Sequence, residues 1–157
     1  MMAAMPLLLA LLLACTSPPP REGGGGAPVG HELARVQAAG VSVWVERVAD
    51  GTVLWVDDGR EVVPRIRHGA PDRPALDPSG QWLAYVASAD GLPAVFVAPV
   101  AGGPSRQLTN EALVRRKGSP PEGFVPPPVT GDGLRFVGDE LRWEAEGRTW
   151  RVTWSSR

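Results

Sequence analysis

Few side chains in this 157-residue chain could do chemistry, the obvious ones being a single cysteine, Cys15, and two histidines, His31 and His68. A thiolate nucleophile needs a base beside it, and a general base needs a rigid mount. Cys15 closes an apolar run, His31 follows a Pro/Gly-rich stretch, and His68 sits in the turn-like Arg67-His68-Gly69-Ala70-Pro71. Both histidines are expected to be solvated surface groups, and no catalytic residue is assigned. A structural zinc site takes about four N or S ligands, more than two histidines and one thiol provide, so no metal site is expected. Asp57-Asp58-Gly59 could contribute a calcium-binding carboxylate pair, but the run lacks the further oxygen donors and reads better as a solvated hairpin turn. Gly23 to Gly26 precedes no Lys-Ser or Lys-Thr, which excludes a phosphate cradle. The basic residues form two groups, Arg65, Arg67 and Arg73 around His68, and Arg115-Arg116-Lys117. Either could meet an anionic surface, but acids elsewhere bring the net charge to −1. Solvated loops are the simpler expectation, with no nucleic-acid partner and no cofactor.

The position of the cysteine says more than its chemistry. Pro6 to Ala14 is an uncharged run of Pro, Leu and Ala ending at Cys15. It is shorter than the roughly 20 residues that span a bilayer and suits the apolar part of a signal peptide. Leu12-Leu13-Ala14-Cys15 resembles the lipobox of bacterial lipoprotein precursors. That resemblance implies a signal peptide over 1–14, cleavage before Cys15, and a diacylglyceryl group on its thiol. Two acyl chains make a firm tether where one is marginal. Met1 to Met5 departs from the usual pattern by carrying no Lys or Arg. The competing readings are an ordinary signal peptide or a buried thiol. Thr16 follows the cysteine where an inner-membrane retention signal would place Asp, which favours the outer membrane if the cell has one. Residues 15–30, with Pro18-Pro19-Pro20 and four consecutive glycines, are expected to be a flexible linker.

These features leave 31–157 to fold. Nineteen glycines and 17 prolines favour short strands and turns over long helices. A lone cysteine excludes an intrachain disulfide, so burial alone must hold the domain. Val41-Ser42-Val43-Trp44-Val45, then Ala49-Asp50-Gly51, then Val53-Leu54-Trp55-Val56 reads as a hairpin, and so does Trp82 to Val97 around Ala89-Asp90-Gly91. A weaker copy runs from Gly131-Asp132-Gly133 into Leu134-Arg135-Phe136-Val137. Self-similarity at about 40 residues marks propeller blades. His31 to Ala38 suits either a short helix or an opening strand. Asn110 to Gly118 reads as a capped helical turn and Pro120 to Pro128 as an extended polyproline-like stretch.

The segment Arg73-Pro74-Ala75-Leu76-Asp77-Pro78-Ser79-Gly80-Gln81-Trp82-Leu83-Ala84-Tyr85-Val86 resembles the TolB-type propeller repeat, with Val95-Phe96-Val97 and Arg106-Gln107-Leu108-Thr109 as its later strands. Asp77-Pro78-Ser79-Gly80 scrambles the repeat's usual turn order, yet Asp, Pro and Gly occupy positions that a type I turn prefers. The resemblance implies an all-β fold of two to three antiparallel blade-like units, about 41–67, 72–109 and 122–157. That is too few for a closed propeller, which takes about 4–8 blades. Runs around Tyr85 and Phe96 are apolar at every position, implying strands covered on both faces. Leu141 to Ala145 and Trp150 to Trp154 alternate, implying one wet face. Trp143, Trp150 and Trp154 are expected in the core, with an exposed recognition strip as the alternative. The expected function is a non-enzymatic lipid-anchored cell-envelope module that binds an envelope protein or self-associates. The alternatives are a glycan- or peptide-binding module, and an accessory subunit of a separate envelope enzyme.

Overall fold

The computed structural model describes residues 30–109, 133–145 and 147–154. Among them the chain is all-β, with eleven antiparallel strands in three sheets. The first sheet is β1 (His31–Ala38), β2 (Val41–Val48), β3 (Gly51–Asp57) and β4 (Val62–Ile66), in that order. The second repeats the pattern with β5 (Asp72–Leu76), β6 (Trp82–Ala89), β7 (Leu92–Pro99) and β8 (Arg106–Gln107). The third holds β9 (Arg135–Val137), β10 (Glu140–Ala145) and β11 (Arg148–Thr153). His31 to Ala38 is therefore a strand, and the first sheet begins earlier than residue 41. The expected helical turn after Asn110, the polyproline-like stretch, and the sequence around Cys15 lie outside the described residues.

Each sheet buries alternate residues against its neighbour, because strand side chains point to opposite faces with period two. Val41, Val43, Val45, Leu54 and Val56 of the first sheet meet Leu83, Tyr85, Ala87 and Ala98 of the second in one apolar cluster. The second sheet's opposite face supplies Ala75, Ala84, Val86, Val95 and Val97. These pack against Leu141 and Trp143 of the third sheet, together with Leu134 and Trp154. The middle sheet is thus covered on both faces, as its unbroken apolar runs require. Among the described residues the stack is open and does not close into a ring. The segment joining the first two sheets is pinned on both sides: the Thr52 hydroxyl donates to the Pro71 carbonyl at 2.8 Å, and the Ser88 amide donates to the Gly69 carbonyl at 2.6 Å.

The Asp77 turn closes as its composition indicates. The Gly80 amide donates to the Asp77 carbonyl at 2.9 Å, and the Asp77 carboxylate takes the Trp82 amide at 2.7 Å and the Ser79 amide at 3.2 Å. The Ser79 hydroxyl donates to the same carboxylate. Asp77 is only 8% exposed, so these donors satisfy a carboxylate that water scarcely reaches. Gly80 has φ +70°, and a Cβ there would lie 3.1 Å from the Ala38 carbonyl oxygen. The turn of the second sheet is therefore seated against the β1–β2 hairpin tip of the first.

Candidate interaction surface

One pair of stacked aromatic rings sits at the centre of each sheet. Trp44 opposes Trp55 across β2 and β3, Tyr85 opposes Phe96 across β6 and β7, and Trp143 opposes Trp150 across β10 and β11. Their ring centroids lie 6.3, 5.4 and 6.4 Å apart, with interplanar angles of 10°, 12° and 11°. Direct cross-strand placement brings such rings together, and the offset stacking adds roughly 0.5–1.5 kcal/mol beyond area burial. In the second and third sheets this pair lies on the face turned towards the preceding sheet, and in the first it lies on the face turned away from the second. Tyr85 and Phe96 pack on the first sheet, and Trp143 and Trp150 pack on the second. Trp44 and Trp55 have no sheet before them among the described residues. Instead the Arg35 guanidinium lies 4.5 Å above the Trp44 ring, a cation–π contact. Arg35 is itself held by Glu32 at 2.6 Å, whose carboxyl that hydrogen bond keeps below the usual range.

The tryptophan residues singled out in the sequence resolve in favour of packing. Trp143 is 1% exposed and Trp154 8% exposed, while Trp150 is half-buried against the same cluster. An exposed aromatic strip made of these three rings is thereby corrected, since the β10–β11 hairpin turns them onto the middle sheet. The Trp154 indole N–H donates to the Gly138 carbonyl at 3.2 Å, and the Trp150 indole N–H donates to the Ala145 carbonyl at 3.3 Å. Cys15, Arg115 and Arg116 lie outside the described residues.

The remaining polar candidates serve the turns and the sheets. His31 and His68 are exposed. The Asp57 carboxylate accepts the Gly59 amide at 2.8 Å. The Asp58 carboxylate accepts the amides of Arg60 at 2.9 Å and Glu61 at 3.1 Å, and those backbone bonds lower its pKa. This is turn chemistry, and among the described residues no group of three or more His, Cys, Asp or Glu is placed to hold a metal. The arginines near His68 do not converge: the Arg65 guanidinium lies against Gly102 in the loop between β7 and β8, and Arg73 turns to Asp72 at 3.4 Å.

What sequence reasoning missed is the buried Glu46, 2% exposed at the far end of β2, and the contact of Arg35 with Trp44. The latter follows only once β1 pairs with β2 and sets Arg35 opposite Trp44, because residues opposite each other on neighbouring strands share a face.

The face turned outward from the third sheet is different in kind. Arg142 pairs with Glu140 at 2.6 Å, Arg135 with Glu144 at 3.5 Å, and Arg151 with Glu140 at 3.8 Å. Thr149 donates to Glu144 at 2.8 Å. This is the wet face that the alternating β10 and β11 sequences imply.

Stacked antiparallel units of four, four and three strands among the described residues define a class, the open array of β-propeller-type blades. Within that class the fold is similar to TolB from Acinetobacter baumannii, with a TM-score of 0.53 over 81% of this chain and 31% of that one. The sequences are 14% identical, so the likeness is one of fold. A 44-residue stretch, 28% of this chain and 4% of its relative, is 41% identical to Tricorn protease homolog 1 of Streptomyces coelicolor. The chain thus spans about a third of the length of the first and a small fraction of the second. No family model matches it.

Proposed function

We propose that this chain is a non-enzymatic, lipid-anchored protein of the bacterial cell envelope whose blade array binds another envelope protein. The observation that carries the reading is the open stack. Three sheets bury their cores against one another without closing a ring, which leaves sheet faces and strand edges available to a second polypeptide. The likeness to TolB supports a β-repeat interaction module, and the run from Pro6 to Cys15 supports the tether. In this reading Cys15 carries the acyl chains, residues 16–30 give reach from the bilayer, and the blades make the contact. The chain needs no cofactor for this task.

Crosslinking of intact envelopes, followed by capture of the chain under denaturing conditions, is expected to recover a discrete protein partner. The native chain is expected in the membrane fraction with an acyl-sized mass increment that Cys15→Ser removes. An unacylated chain found free in the cytosol would overturn the proposal.

A further inference from the structure

In the first two sheets the third strand is covered on its outer side by a fourth: β4 pairs with β3, and β8 with β7. The third sheet stops at β11 among the described residues. β11 pairs with β10 through six consecutive residues without a register shift, from Arg148 opposite Ala145 to Thr153 opposite Glu140. The phase of the ladder follows from the Trp154 amide donating to the Asp139 carbonyl at 2.8 Å. In an antiparallel pair alternate residues bond across and the others point away. The backbone N–H and C=O groups of Thr149, Arg151 and Thr153 therefore face outward along one straight edge.

Outer edges are commonly blunted by Pro, irregularity or shortness. β4 has Pro64 and a register shift against β3, and β8 is two residues long. β11 has none of these devices, being six residues long, without Pro and in unbroken register. Its protection is charge: its sequence holds two arginines and no acid. The Arg151 side chain is 72% exposed, its nearest acid Glu140 being 3.8 Å away and already bound to Arg142 at 2.6 Å.

We propose that the outer edge of β11 is a strand-addition site for an extended peptide segment of a partner, with acidic residues beside Arg151 and apolar residues on the alternate positions. This deepens the interaction-module reading and rests on it. Main-chain hydrogen bonds to Thr149, Arg151 and Thr153 supply the binding, and side chains on alternate positions supply selectivity. The added strand takes the place that β4 and β8 hold in the other sheets. A second copy of β11 is the weaker occupant, because the antiparallel register of greatest overlap sets Arg151 directly against its own copy, and like charges so placed are unfavourable.

The test uses the full mature chain and two end-capped seven-residue peptides, one alternating Glu with Val and the other Lys with Val. Amide hydrogen exchange is read with and without each peptide. The expected result is slowed exchange at Thr149, Arg151 and Thr153 with the Glu peptide and not with the Lys peptide. Arg151→Pro removes one outward N–H that the β10 ladder does not use, and is expected to abolish the effect. Arg151→Glu, a surface change that leaves the backbone intact, is expected to weaken the Glu peptide by about three- to tenfold and to favour the Lys peptide. No protection at saturating peptide, equal protection by both peptides, or protection confined to other strands would each overturn the proposal. If edge-blocked Arg151→Pro still captures its envelope partner by crosslinking, the strand-addition site is refuted while the interaction module stands.

Discussion

Replacing Asp77 by Ala tests whether one buried carboxylate sets the junction between the first two sheets. The side chain accepts three hydrogen bonds, from the amides of Trp82 and Ser79 and from the Ser79 hydroxyl. A hydrogen bond to a charged group contributes roughly 1.5–3 kcal/mol. Ser79 is exposed, so its donors can turn to water when the carboxylate is gone, and their loss costs little. The Trp82 amide has no such recourse, because Trp82 also returns its carbonyl to the Asp77 amide at 3.0 Å and is held in the turn. Adding the loss of the short buried side chain, the expected destabilisation is about 2–4 kcal/mol. For a domain near 100 residues this lowers Tm by roughly 10–25 °C. Asp77→Asn retains an acceptor for Trp82 and should lose about half as much. Ser79→Ala should lose about 0.5 kcal/mol. Urea and thermal unfolding followed by tryptophan fluorescence measure all three. A loss below about 1 kcal/mol for Asp77→Ala, or an equal loss for Ser79→Ala, would refute the claim that the Trp82 amide is the contact that matters.

The protein's single tyrosine gives a pH signature. Burial raises the Tyr85 pKa above its ordinary value of 10, with the hydrogen bond to Ser105 opposing. A tyrosine held neutral more firmly in the folded state contributes stability below the unfolded pKa, and that contribution is lost as pH rises through the folded value. Unfolding free energy should therefore fall above about pH 10, with a shallower fall in Tyr85→Phe, and tyrosinate absorbance should appear later in folded than in urea-unfolded protein. Trp143→Ala should cost about 3–5 kcal/mol and Trp150→Ala distinctly less, by urea unfolding; two neutral outcomes would return both rings to the surface.

Much of the fold is legible because turn chemistry and apolar alternation point the same way at each hairpin. Its limits are just as specific. Ala49-Asp50-Gly51 and Ala89-Asp90-Gly91 are the same triplet, yet they close differently. Asp90 and Gly91 both take positive φ, 52° and 82°, as the two central residues of a tight hairpin. In the first sheet Ala49 and Asp50 form the loop, and Gly51 pairs with Val48 at the start of β3. The reason lies in register. The aromatic pair recurs one residue further along than the triplet does, and stacking Trp44 on Trp55 fixes which residues are left to turn. Pairing across the sheet outweighs the local motif. For β1 the alternation in His31 to Ala38 suits a strand or a helix, and only pairing with β2 decides. The core position of the three C-terminal tryptophans is legible, because the alternating hairpin gathers its aromatic residues on one face and its charges on the other; which sheet that aromatic face meets is decided only by packing.

The two ends of the stack explain why a partner strand is better placed at an edge than a partner sheet at a face. Head-to-tail addition of a second copy would set the outward face of the third sheet on the face of the first that carries Trp44 and Trp55. The former holds Arg135, Glu140, Arg142, Glu144 and Arg151. Burying paired charges against indole rings removes their hydration, a cost of several kcal/mol per ion that the pairing recovers only with excellent geometry. The contacts at 3.5 and 3.8 Å are not of that quality. Blades two and three avoid the problem, since the surfaces they stack on are Val, Leu and Ala. The charged face thus acts as the cap that a repeat array needs at its end. Growth of the array by more of the same chain is blocked at that point, and growth along the hydrogen-bonding direction of β11, where Arg151 invites an acid and repels its own kind, is not.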